Sequence, residues 1–158
     1  MPNWTLCIDT SAGTTVAVLQ GGELRSEIHF EESMKHAERI GDAIAQAIAA
    51  ADIKPGRITN VVVGRGPAPF TGLRIGIAAA VMFAEGVGAQ LFGVSSLDAI
   101  ARAALEQRGE SKHPLLVTAD ARRSEHASVD GPHARRHLRR QRWRAKCALG
   151  FAAPRRLL

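Results

Sequence analysis

The stretch Ile58-Thr-Asn-Val-Val-Val63, followed by Gly64-Arg-Gly-Pro-Ala-Pro-Phe-Thr-Gly-Leu-Arg-Ile-Gly76, decides how this chain is read. Its first six residues are mostly β-branched and apolar, the pattern of a strand buried inside a sheet. The Gly- and Pro-rich loop from Gly64 to Gly72 lets the backbone turn tightly and approach its neighbours closely. From Leu73 to Gly86 the residues are apolar nearly all round, which predicts a helix buried on several sides. The amides at the start of that helix make the loop a candidate anion site. It is not a Walker loop, because no Gly-Lys-Ser/Thr closes it. Nor is it the dinucleotide fingerprint, because Pro69 stands in the third glycine's place.

Working outward, Thr5–Ser11 alternates Leu6 and Ile8 with smaller residues and predicts a strand. Thr14–Gln20 and Glu23–Phe30 predict two more, joined by the hairpin signal Gly21-Gly22. His36–Ala51 predicts a helix with Ile40, Ile44 and Ile48 at four-residue spacing, ended by Lys54-Pro55-Gly56. Beyond the central helix come a strand at Leu91–Val94, a helix at Leu97–Gln107 capped by Ser95 or Ser96, and a strand beginning at Leu115–Thr118. Three strands, then helix and strand in alternation, predict an α/β fold with an antiparallel meander in front and crossovers behind.

The 158 residues are 46% apolar, enough for a core, and the core is aliphatic, with five Phe, two Trp and no Tyr. Cys7 and Cys147 are far apart and form no Cys-x-x-Cys, which argues against a zinc ribbon or redox motif. The start of the chain lacks a basic n-region and a long apolar h-region, so no signal peptide is expected. The apolar run Ile77–Ala84 is too short to span a bilayer. Together these predict a cytoplasmic protein with no membrane partner. The net charge of +6 is unevenly spread. Residues 1–120 hold 10 Lys and Arg against 13 Asp and Glu, a net of −3, whereas residues 121–158 hold 11 against 2, a net of +9.

Asp9, Thr10 and Ser11 stand at the turn after the first strand. A carboxylate with small hydroxyls there is the layout of a phosphate or Mg²⁺ site, and equally of a turn that satisfies its own backbone. Gly93-Val-Ser-Ser-Leu97 lacks the last glycine of a nucleophile elbow. His36-Ala-Glu-Arg-Ile40 lacks the second His of a zinc helix. His29, His36 and His113 are isolated, and no metal site is expected.

Ile8-Asp-Thr-Ser11, the strand Ile58–Val63, the loop from Gly64 through Arg65, Gly66, Pro67, Phe70, Thr71, Gly72 and Arg74 to Gly76, Gly93-Val-Ser-Ser-Leu97 and Thr118-Ala-Asp-Ala-Arg122 together resemble the TsaB (YeaZ) family. The resemblance covers roughly the first three quarters of the chain, and its central string is long and specific. It implies an actin-like ATPase (ASKHA, ribonuclease H-like) fold with a mixed sheet. It also implies a role as the non-catalytic dimerisation subunit for TsaD, which transfers threonylcarbamoyl to a tRNA adenosine. The ATPase TsaE completes the implied set, tRNA is met indirectly through the complex, and ATP or ADP belongs to the complex rather than to this chain alone. Catalytic relatives carry two His metal ligands where this chain has Ser96 and Ile100, neither able to replace them. No transferase activity is therefore expected of this chain by itself. The resemblance places dimer contacts on the first two helices, with Ile40, Ala43, Ile44, Ala47, Ile48, Ala78, Ala79 and Met82 as interface candidates, toward TsaD or a second copy.

The expected organisation is an actin-like subdomain over 1–113, the start of a second subdomain over 114–123, and an atypical tail over 124–158. The resemblance stops near Ser124, where relatives continue into a whole second subdomain. The tail lacks any sustained period and is expected to be unstructured, as a truncation or a reading-frame slip in a GC-rich gene would leave it. Two other functions compete. One is an independent ATP-binding enzyme using Asp9 and the glycine loop. The other is an RNA-binding arm in which Arg135, Arg136, Arg139, Arg140, Arg142 and Arg144 meet phosphates and Trp143 stacks on a base.

Overall fold

The computed structural model describes residues 3–31, 36–108, 116–120, 125–130 and 137–140. The chain forms two compact units, Met1–Ser96 and Leu97–Leu158.

The first unit is a five-stranded mixed sheet with strand order β3-β2-β1-β4-β5. Strands β1 (Trp4–Asp9), β2 (Thr14–Gln20) and β3 (Glu23–Phe30) form the antiparallel meander. Gly21 and Gly22 both take positive φ, the backbone twist a two-residue hairpin requires. Strand β4 (Ile58–Gly64) then pairs parallel to β1, and β5 (Gln90–Val94) pairs parallel to β4. The parallel steps are bridged by helices α1 (His36–Ala50) and α2 (Phe70–Val87).

Alternation along the strands sends Leu6, Ile8, Val16, Val18, Val61 and Val63 to one face, where they are buried. Helix α1 closes this face over β2 and β3, and α2 closes it over β4 and β1. From α1 come Ile40, Ala43, Ala47 and Ile48, and from α2 come Ala80 and Ala84. The hydroxyl of Ser26 donates to the Ala47 carbonyl at 2.6 Å and ties α1 to the meander. Both helices end in a left-handed residue. At α2 this is Gly88, followed by Ala89 N–H donating to the Ala84 carbonyl at 2.9 Å. At α1 it is Asp52, φ 53°, followed by a weaker bond from Ile53 N–H to the Ile48 carbonyl at 3.4 Å.

Helix α2 begins three residues earlier than its apolar run predicts. Pro69 occupies the position before its first turn, and its carbonyl accepts from Leu73 N–H at 3.1 Å, which draws Phe70, Thr71 and Gly72 into the helix.

The second unit holds nearly all of helix α3 (Ser96–Arg108), which carries an Arg102–Glu106 ion pair at 2.8 Å. It also holds an antiparallel sheet of β6 (Leu116–Asp120), β7 (Glu125–Asp130) and β8 (His137–Arg140). Strands β7 and β8 differ from the expected unstructured tail. In β7, Ala127 and Val129 alternate with His126, Ser128 and Asp130, a period of two over a span too short to stand out in the sequence. Of the arginines considered for an RNA-binding arm, Arg139 and Arg140 lie on β8. Arg135, Arg136, Arg142, Arg144 and Trp143 lie outside the described residues.

Candidate functional site

Strands β1 and β4 run parallel, so their C-terminal ends emerge side by side. This brings Asp9, Thr10 and Ser11 against the loop that starts at Gly64. Asp9 is the centre of the arrangement. One carboxylate oxygen, Oδ1, accepts from the backbone N–H of Ser11 at 2.7 Å and from the Ser11 hydroxyl. The other, Oδ2, accepts from the Ser96 hydroxyl at 2.7 Å. A carboxylate offers about four acceptor positions, so most of them are taken by the chain's own donors. Ser96 is itself buried, and its N–H donates to the Gly66 carbonyl at 3.0 Å.

The glycines of the loop are set by what lies against them. A Cβ on Gly64 would fall 2.0 Å from Asp9 Oδ2 and 2.9 Å from Ser96 Oγ. A Cβ on Gly76 would fall 2.4 Å from Thr10 Oγ1, and that hydroxyl donates to the Gly72 carbonyl at 2.9 Å. Thr10 is buried, so the first turn of α2 is fastened to the end of β1 without intervening side chains. Arg65 N–H donates to the Val94 carbonyl at 2.7 Å, and the Arg65 side chain lies across Gly93, where a Cβ would meet its Cδ at 2.5 Å. The loop thus joins β1, α2 and β5 at one end of the sheet and fixes where α2 starts.

Helix α2 is long and apolar enough to cross a membrane by length and composition alone. Its ladder of Gly72, Gly76, Ala80 and Ala84 is buried, at the spacing that puts one residue per turn on the same face. The opposite side is open: Phe70 is 70% exposed and Met82 76%, and Ala78 and Val81 are also exposed. The Arg74 guanidinium lies over the Phe70 ring, 5.1 Å from its centre.

The interface candidates therefore separate. Ile40, Ala43, Ala47 and Ile48 are buried in the sheet's core and offer no surface to a partner, and this corrects their assignment. Their four-residue spacing is the sheet-facing stripe of α1, whose exposed side is Glu38, Gly41, Asp42, Ala45, Gln46 and Ala49. Ile44 and Ala79 are partly buried against the same core. Only Ala78 and Met82 reach the surface, on the open side of α2. Phe70 was singled out as part of the loop motif, and its exposure could not be read from the sequence. Val81 was missed because it sits in an unbroken apolar run. In the sequence Ser96 reads as a helix cap and as the residue in place of a ligand histidine of catalytic relatives; its bond to Asp9 spans 87 residues and leaves no local signal. Among the described residues, no group of three or more His, Cys, Asp or Glu could hold a metal ion.

Comparison with known proteins adds the following. A family model described as TsaD, tRNA N6-adenosine threonylcarbamoyltransferase, matches residues 30–152. An uncharacterized protein of Mycobacterium tuberculosis is 40% identical over 123 residues, 76% of this chain and 55% of that protein. The tRNA threonylcarbamoyladenosine biosynthesis protein TsaB of Escherichia coli is 33% identical over 122 residues, 76% of this chain and 51% of that protein. Among solved structures, YeaZ from Pseudomonas aeruginosa superposes with a TM-score of 0.72 at 24% identity, covering 87% of this chain and 64% of that one. The chain spans about half the length of the curated relatives it matches.

Proposed function

Since this chain belongs to the family described as TsaD, tRNA N6-adenosine threonylcarbamoyltransferase, as a TsaB-like member with an α/β actin-like fold, we propose that it is a non-catalytic scaffold subunit of the complex that transfers threonylcarbamoyl to tRNA adenosine. Its partner in this reading is the catalytic TsaD subunit, met in the cytoplasm, with TsaE and tRNA engaged through the complex.

The observation that carries the reading is the open side of α2. Phe70, Ala78, Val81 and Met82 are exposed on a helix whose other side is held on the sheet. Contiguous apolar surface on a folded unit marks an interaction site. The loop at Asp9 then serves the scaffold rather than a reaction: it fastens the first turn of α2 and so sets the surface the partner meets. The non-catalytic part is supported by Ser96 and Ile100. Ser96 stands where the family resemblance puts a ligand histidine of catalytic relatives, and its hydroxyl is committed to Asp9. Ile100, at the second ligand position, has no donor atom. An independent ATP site at Asp9 is disfavoured, because the carboxylate already accepts three internal bonds.

The test is binding of the chain to TsaD, followed by size exclusion and light scattering, with Met82→Glu as the diagnostic variant. Met82 is 76% exposed, so the substitution leaves folding intact while placing a charge in the proposed interface. Wild type is expected to form a one-to-one complex and Met82→Glu to lose it. Equal binding by both would refute α2 as the docking surface.

A further inference from the structure

The two edges of the five-stranded sheet are built differently. Edge strand β3 carries Glu23, Arg25, Glu27 and His29, with Arg25 and Glu23 paired at 3.2 Å. Charges of this kind keep an open edge from taking up another strand. Edge strand β5, Gln90-Leu-Phe-Gly-Val94, carries no charge, and among the described strands it pairs with β4 alone. Leu91 is 41% exposed, Phe92 47% and Val94 38%. The Val94 carbonyl is turned toward the β4 side, where it accepts from Arg65 N–H. Backbone groups alternate in direction along a strand, so those of Leu91 and Gly93 point outward from the sheet. Leu91 and Gly93 lie opposite Val61 and Val63 and share their face, whereas Phe92 and Val94 lie on the other. Gly93 adds no side chain to its face, and the Arg65 side chain lies in that space. Arg65 is exposed, and no carboxylate of the described residues pairs with it.

We propose that the free edge of β5 takes up an extended segment of a partner protein as a sixth strand, with a carboxylate of that segment held on the Arg65 guanidinium. The outward N–H and C=O groups of Leu91 and Gly93 supply the ladder bonds, and the pockets beside alternate side chains supply the selectivity. On one face, apolar side chains of the segment pack on Phe92 and Val94. On the other face the carboxylate meets Arg65, beside Leu91. The charge selects the occupant. A second copy paired edge to edge would bring Gln90–Val94, which has no carboxylate to offer. An extended segment that alternates apolar and acidic residues satisfies the backbone, both faces and the cation together. The proposal does not depend on the open side of α2, and it gives the first unit a second contact surface.

The experiment is fluorescence anisotropy of the full chain with a labelled, amidated peptide Glu-Val-Thr-Val-Thr-Val-Glu, whose valines share one face when extended and whose acids share the other. A second peptide carries Gln at both ends, and a third is the acidic peptide N-methylated throughout, which cannot donate ladder bonds. Two protein variants accompany wild type. Arg65→Gln removes the cation but keeps an unbranched stem over Gly93. Leu91→Pro removes an outward N–H at a place where an edge strand tolerates proline. Circular dichroism checks that both fold. Wild type is expected to bind the acidic peptide saturably and the Gln peptide about threefold or more weaker. Arg65→Gln is expected to bind these two peptides alike. Leu91→Pro is expected to bind both about tenfold weaker than wild type. The N-methylated peptide is expected not to bind wild type, which keeps the test decisive should Leu91→Pro unfold. No binding of the acidic peptide by wild type, an acid preference that survives Arg65→Gln, undiminished binding by folded Leu91→Pro, or binding of the N-methylated peptide would each overturn the proposal.

Discussion

Gly76 has no room for a side chain, because the Thr10 hydroxyl occupies the place a Cβ would take. Gly76→Ala must therefore push α2 away from β1 or break the bond from Thr10 to the Gly72 carbonyl. A loss of about 1–3 kcal/mol is expected, as for overpacking in a dense core, together with weaker TsaD binding because the start of α2 moves. Chemical denaturation and a binding titration on the same variant check the two effects separately. Cys7 gives a second expectation at this scale. Burial raises its thiol from 9.0 to about 11, so the fold favours the protonated form. As pH rises through 9, the unfolded chain loses this proton while the folded chain keeps it. The unfolded state then binds fewer protons, and the contribution of Cys7 to stability falls between pH 9 and 11. Cys7→Ala should remove that part of the alkaline loss in a denaturation series, and an unchanged pH profile would show that Cys7 is not its source. At this scale the sequence shows that Asp9, Thr10 and Ser11 make a turn, and that the loop glycines mark close approach. It does not show that Ser96 closes the arrangement, since a hydrogen bond across 87 residues leaves no local pattern.

At the scale of elements, periodicity carries the reading a long way and then misleads in one respect. The meander, the two parallel strands and the three helices were all legible, because each has its own alternation or turn signal. Helix α1 shows where this stops. Its isoleucine stripe has the strength of an interface, but a stripe only says that a face is covered, not what covers it. In the fold the cover is β2 and β3. The open side of α2 was hidden for the opposite reason: a helix apolar nearly all round does not reveal which side meets the sheet, and the Gly72, Gly76, Ala80 and Ala84 ladder is the clue that decides it. The C-terminal end of α1 offers a direct check. Asp52 holds a left-handed conformation that Gly adopts more readily. Asp52→Gly is expected to stabilise the unit by about 0.5–1 kcal/mol, measured as a higher denaturation midpoint with an unchanged slope. A lower midpoint would mean that the Asp52 side chain contributes more than its backbone strain costs.

For the molecule as a whole, the decisive fact is how much is carried by the first unit, residues 1–96. This unit has its own sheet, its own core and a helix with one side held and the other open. The chain spans about half the length of the curated relatives it matches, and the proposed docking surface on α2 lies within this first unit. The family was legible from the loop between Gly64 and Gly76, because its glycines answer to specific neighbours: Gly64 to Asp9 and Gly76 to Thr10. The strands β7 and β8 were not legible, since they are short and lie in an arginine-rich segment whose composition masks their alternation.

The most direct test of the central claim is light scattering after size exclusion of this chain mixed with its cognate TsaD, run beside Met82→Glu. The wild type is expected to form a one-to-one complex, and the variant to elute from TsaD as a separate species. A folded wild type that never joins TsaD, or a variant that joins it as well as wild type does, would contradict the claim that the open side of α2 is the scaffold's docking surface.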